Sequence, residues 1–250
     1  MTMTDFSYQL YSSRKFGPLD ATLEMVAQCG YKQVEAYSGL YEDLDRLERI
    51  LAENNLIMPT GHFDLSLIEN TPAQAINIAN RLGMNAIIVP FLNQEERPSD
   101  AHGWVRFSNR LVELAKPVLD AGLTFAWHNH EFEFNAVDGN NKPLDFILED
   151  GNGVSLELDL AWVAVGGENP VEWIKKYGSR LVCVHLKDIA PNSDCESEDG
   201  WADVGYGTMD WAGIMNAVRT TNCRYFIMEH DNPTDDMRFA QRSINAASHF

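Results

Sequence analysis

The chain has 250 residues, of which 45% are hydrophobic, and 19 Lys plus Arg against 37 Asp plus Glu give a formal net charge of −18 at pH 7. That length suits one large domain, and it is typical of an eight-fold β/α barrel. Such a charge disfavours a nucleic-acid backbone as principal partner, and no run approaches the ~18 consecutive apolar residues that a membrane span needs.

The opening residues, MTMTDFSYQL, carry neither a basic patch nor an apolar signal core, so a cytoplasmic protein is expected. The first strand is expected at Phe6–Leu10. The next follow at Gln33–Ala36, Ile57–His62 and Ala86–Val89, a period of roughly 26 residues that fits a repeated strand–helix unit. Four more are expected at Thr124–His130, Val154–Asp159, Leu181–Lys187 and Tyr225–Glu229. Between them lie amphipathic helical stretches with their own punctuation. Pro18 opens the first and Gly30 follows it. Leu44, Leu47 and Leu51 mark the second. Thr71 caps the third, with Pro72 in its first turn and Gly83 closing it. The fourth runs from about Asp100 to Ala121. Pro143 opens a short fifth, Asn169-Pro170 the sixth, Asp210 the seventh and Asn232-Pro233-Thr234 the last. Strict alternation predicts a parallel sheet, and eight units favour closure into a single (β/α)8 barrel spanning residues 1–250. An open dinucleotide-binding sheet loses support because no GxGxxG follows the first strand. The scattered cysteines Cys29, Cys183, Cys195 and Cys223 form no CxxC pair, which argues against structural disulfides or a zinc knuckle.

The polar residues on these strands share one parity. Glu157 and Asp159, His185 and Lys187, Glu229, and His128 and His130 would all face inward near the strand ends, the mouth where barrel active sites are built. The stretch FAWHNHEFEF (125–134) adds Glu131 and Glu133 just past its strand. Imidazole with carboxylate suits a borderline divalent cation and can also act as a general base. Taken singly, each residue is as well explained as a helix cap, a loop hydrogen bond or a surface group. His62, at the third strand end, is a mouth residue or a core histidine. Trp162 is a flat wall for a sugar face or a packing residue. Tyr8, Tyr11 and Tyr37 are expected to wall the mouth. The acidic loop from Ala190 to Ala202 is a lid or a solvated loop, with Trp201 as its apolar anchor.

With HNHEFEF (128–134), ELDLAW (157–162), HLKD (185–188), VGYGTMDW (204–211) and MEHD (228–231), the chain resembles the xylose isomerase-like barrels grouped as sugar phosphate isomerases/epimerases. That family also contains inosose dehydratase and endonuclease IV-type nucleases. QLYSSR (9–14) and GYKQVEAY (30–37) are similar to the family's first two strands. The resemblance implies one divalent ion (Mn, Mg, Co or Zn) held by Asp159, His185, Glu229 and a fourth ligand, Glu133, with Glu131 as its substitute. It also implies that a histidine replaces one of the two glutamates that move a proton in the epimerases. His128 or His130 is then the base, Lys187 assists catalysis, and Lys187, His62 and Trp162 contact substrate. The expected reaction is isomerisation or epimerisation of a sugar or keto-sugar through abstraction of the proton α to the carbonyl. The alternatives are a lyase or dehydratase acting on a 3-keto sugar or inosose, a nuclease, and a non-catalytic binding barrel. A small sugar is the expected partner, and a homo-oligomer is compatible with the sequence.

Overall fold

A computed structural model describes residues 5–149, 153–191 and 195–250. Its centre is a closed barrel of parallel strands: β1 (Phe6–Gln9), β2 (Gln33–Ala36), β3 (Ile57–His62), β4 (Ala86–Val89), β5 (Thr124–His128), β6 (Ser155–Asp159), β7 (Leu181–Leu186) and β10 (Tyr225–Met228). β1 pairs with β2 on one side and with β10 on the other, which closes the ring. A short antiparallel ribbon, β8 (Asp188–Ile189) with β9 (Trp201–Ala202), stands apart from it.

Parallel strands are covered by the helices that connect them, so both faces of each strand are buried. Val34, Ile87, Phe125, Leu156 and Val184 join the large apolar cluster shared with the helices. The residues of opposite parity fill the barrel. Ala86, Ile88, Ala126, Cys183 and Ile227 form a small separate apolar cluster inside it. Towards the strand C-terminal ends that inward face becomes polar: Gln9, Glu35, His62, Glu157 and His185 are all buried.

The covering helices are α1 (Leu19–Gln28), α2 (Leu44–Glu53), α3 (Leu65–Asn70), α4 (Pro72–Arg81), α5 (Ala101–Asp120), α6 (Pro143–Ile147), α7 (Leu160–Val165), α8 (Pro170–Tyr177), α9 (Trp211–Val218) and α10 (Asp236–Ala247). Asp210 caps its helix as expected, and Asp100 and Asn169 cap theirs, each side chain accepting from a backbone N–H in the following turn. Thr71 does not cap α4. Its hydroxyl donates back to the Leu67 carbonyl, because α3 ends there and offers an orphan acceptor. The last helix starts later than Asn232-Pro233-Thr234, and Asp235 caps it by accepting from Arg238 N. Neither α3 nor α7 is among the expected helices. β5 stops at His128, short of His130, because the Asn129 side chain takes over the pairing. Its amide donates to Asp159 O at 3.2 Å and accepts from Asp159 N at 3.0 Å. Among the described residues no helix is long and apolar enough to cross a membrane.

Candidate functional site

The C-terminal ends of β2, β3, β5, β6, β7 and β10 bring one polar network together inside the barrel. His62 Nε2 donates to Glu157 at 2.7 Å and lies 3.2 Å from Glu35. His185 Nε2 contacts Glu35 at 2.8 Å, and its Nδ1 contacts Glu229 at 2.9 Å. His128 Nδ1 contacts Glu157 at 3.0 Å. Glu35 and Glu157 each sit where the strand register shifts, an irregularity that re-aims side chains. Burial alone would lower the His62 imidazole, but Glu35 and Glu157 outweigh it and raise the group to about 10. Burial alone would raise the Glu157 carboxyl, but His185 and His62 hold it well below the usual carboxylate range. Both shifts favour the charged pair, held at 2.7 Å.

One nitrogen or oxygen from each of His128, Asp159, His185 and Glu229 lies within 4.8 Å of the others. A second such group, His62, His128, Glu157 and His185, shares two members with the first. Asp159 caps α7 through Oδ1, which accepts from Ala161 N and Trp162 N. Its Oδ2 is buried without a hydrogen-bond partner; Lys187 Nζ lies 3.0 Å away, but without hydrogen-bond geometry. Two imidazoles and two carboxylates are donor types that fit a borderline divalent ion, and Lys187 Nζ is paired with Asp159 Oδ2 and Glu229 Oε2 in their midst.

Lys187 is buried, and its ammonium lies 3.0 Å from Asp159, 2.9 Å from Glu229 and 2.9 Å from Asp231. Burial disfavours its charge, but Asp159, Asp231 and Glu229 keep it charged well above its ordinary range. It is directed at carboxylates rather than at the open cavity. His130 is half-buried, packs edge-on to Phe91 and stands 5.3 Å from the Trp162 ring. Its Nδ1 is shielded and has no partner. Burial first, then His128 and Lys187, push its protonation well below the ordinary value.

The expected fourth ligand, Glu133, is not in this group. Its carboxylate accepts from Trp127 Nε1 at 3.0 Å and from His130 N at 2.9 Å. Burial pushes its carboxyl up to about 8. The turn at Phe132–Phe134 folds it under His130, so it fixes the backbone that carries the histidine. Glu131, its substitute, is half-buried and absent from both groups. Tyr8 departs from expectation: it points to the helices, is fully buried and packs on Tyr31 and Phe239. Tyr11, Tyr37 and His62 do line the mouth cavity of about 360 Å³, while Trp162 stands behind His130 and packs on Trp201. Glu35 escaped the sequence reading. Its signal was a carboxylate alone between Val34 and Ala36 on an otherwise ordinary strand.

The ribbon β8–β9 is anchored by Asp188. Its carboxylate accepts from the backbone N–H of Ile189, Gly205, Gly207 and Met209 and from Trp211 Nε1, at 2.8–3.1 Å. This is what HLKD followed by VGYGTMDW encodes. Gly205 adopts φ +86°, and a Cβ on Gly207 would fall 2.2 Å from Asp188 Oδ1. The anchored ribbon places Trp201 against Trp162, with Lys187 Nζ 4.9 Å from the Trp201 ring.

A closed parallel barrel with titratable groups gathered at its strand C-terminal ends has the architecture of a (β/α)8 barrel with its site in the usual place. The chain belongs to the xylose isomerase-like TIM barrel family, whose match covers residues 23–247. Among curated proteins it is similar to an inosose dehydratase of Clostridium botulinum (strain Alaska E43 / Type E3). The two are 26% identical over 198 residues, covering 71% of this chain and 65% of that protein. A solved sugar phosphate isomerase/epimerase from Parabacteroides distasonis ATCC 8503 superposes with a TM-score of 0.82 at 19% identity, covering 99% of this chain and 94% of the other. The IOLI protein, solved with a bound zinc atom, superposes with a TM-score of 0.77 at 15% identity, covering 98% and 97%. These two structural likenesses define the fold.

Proposed function

We propose that the chain is a divalent-metal-dependent enzyme that moves the proton α to the carbonyl of a keto-sugar, with isomerisation or epimerisation as the outcome. The observation that carries this reading is the convergence of His128, Asp159, His185 and Glu229 on one buried point, with His130 beside it. These four residues would hold the ion, with His128 in the place expected of Glu133. When bound, the ion would supply a Lewis acid for the carbonyl oxygen. The zinc in the IOLI protein supports a divalent ion, and the mixed ligand set leaves Mn, Mg, Co and Zn all open.

His130 is the base in this proposal. Its ring lines the mouth cavity, and burial together with His128 and Lys187 favours the neutral imidazole. Lys187 acts as a positioning residue that fixes the carboxylates of Asp159, Glu229 and Asp231. His62, which lines the cavity, contacts substrate hydroxyls. Trp162 and Trp201 back His130 and limit its movement.

A second reading, elimination of water or another β-substituent from an inosose or 3-keto sugar, is supported by the inosose dehydratase relatives. It begins with the same proton removal and differs only in what leaves. Both are tested by incubating metal-loaded protein with six-carbon ketoses and inososes in D₂O and following the α-proton by NMR. Metal-dependent deuterium incorporation is expected, and it should fall by roughly 10²-fold or more in His130→Gln. Wild-type exchange in that variant would remove His130 from the base role. Recovery of an epimer or a dehydrated product then separates the two readings.

A further inference from the structure

We infer that Lys187 is an internal cation that competes with the divalent ion for Asp159, so that the ion binds as the ammonium gives up that carboxylate. This rests on the metal reading above and concerns how the ion gains its ligands.

Asp159 has one oxygen to offer. Its Oδ1 accepts from Ala161 N at 3.0 Å and from Trp162 N at 2.9 Å, where it caps α7. Turning the carboxylate to free Oδ1 would strand both donors. Oδ2 is therefore the ligand atom, and Lys187 Nζ lies 3.0 Å from it. The same ammonium lies 2.9 Å from Glu229 Oε2, which His185 Nδ1 also meets at 2.9 Å. Lys187 thus stands against two of the four candidate ligands and one atom away from a third. It is 1% exposed, so water does not screen these contacts.

An ammonium and a divalent cation do not share such an oxygen easily. Both would touch it in a buried site, where like charges repel most strongly. The ammonium also has partners to fall back on. Asp231 Oδ1 accepts its hydrogen bond at 2.9 Å and lies outside the ligand group. The rings of Trp162 and Trp201 stand 5.2 and 4.9 Å from Nζ, within cation–π range. The Asp159 contact lacks hydrogen-bond geometry, which makes it the easier one to exchange. Ion binding would then leave the ammonium on Asp231, in the lining of the mouth.

A lysine that only orients ligands and one that competes for them predict opposite results. Removing an orienting group typically weakens metal affinity by about 10–100-fold. Removing a competing charge strengthens it.

The experiment measures Zn²⁺ and Mn²⁺ affinity by competition with a fluorescent chelator, for wild type, Lys187→Met, Asp231→Asn and the two combined. Lys187→Met is expected to bind about tenfold more tightly than wild type. Asp231→Asn removes the carboxylate that draws the ammonium away. It is expected to weaken binding several-fold with Lys187 present and to change it little in the combined variant. The ion should also raise the melting temperature of Lys187→Met by more than that of wild type. Lys187→Gln, which keeps a donor without the charge, takes the place of Lys187→Met if the latter does not fold. Equal or weaker affinity on loss of the lysine charge would overturn this inference and leave the metal site in place. So would unchanged or tighter binding in Asp231→Asn, or an equal effect of that substitution with and without Lys187. No binding of either ion by any of these proteins would overturn both.

Discussion

Glu133 and Asp159 are both buried carboxylates at the mouth, and their neighbours give them different work. Both oxygens of Glu133 are taken, one by Trp127 Nε1 and one by His130 N. Asp159 spends one oxygen on the α7 cap and keeps the other clear of hydrogen bonds. Glu133→Ala should therefore leave two buried donors unpaired, at a cost of about 1–3 kcal/mol each, without removing a bound ion. Chemical denaturation alongside elemental analysis checks this, and loss of the ion in Glu133→Ala would restore it as a ligand. The sequence led to Asp159, His185 and Glu229 because strand parity aims them inward. Parity says nothing past a strand end, and Glu133 lies in a turn whose direction is set by the Trp127 indole it meets. Glu35 was missed for the opposite reason: its parity was readable, but its partners His62 and His185 come from strands distant in sequence.

At the scale of elements, the ribbon β8–β9 depends on one carboxylate. Asp188→Ala would strand the donors of Ile189, Gly205, Gly207, Met209 and Trp211 together. A loss of roughly 3–5 kcal/mol is expected, the range for breaking a buried hydrogen-bond network. Gly207→Ala should reproduce much of that effect with the carboxylate intact, since its Cβ would fall 2.2 Å from Asp188 Oδ1. Faster proteolysis within residues 190–202 in both variants, together with a changed tryptophan emission, would report the released ribbon. Unchanged stability in both would show that the loop is held by other contacts. The elements that were hard to read have a common cause. LAWVAV continues the apolar run of β6 without a break, so α7 is recognisable only from the Asp159 cap. LSLIEN is one short turn of helix, set off from α4 only by Thr71 bonding backwards.

For the whole molecule, alternation and repeat length carried the barrel, because each strand–helix unit announces itself with its own turns and caps. The polar belt inside it depends on register between strands far apart in the chain, and that information is not local. Glu35, Glu157, Asp159 and Glu229 are gathered in this interior, against one lysine and several imidazoles. A buried excess of carboxylates needs compensating charge, and protons on imidazole or a bound cation can both supply it. A divalent ion is expected to take that place. The direct measurement is the metal content of purified protein, before and after supplementation, for wild type and for Asp159→Ala combined with His185→Ala. About one divalent ion per chain in wild type, lost in the double variant, is the expected result. No ion in either protein after supplementation, or equal content in both, would contradict it.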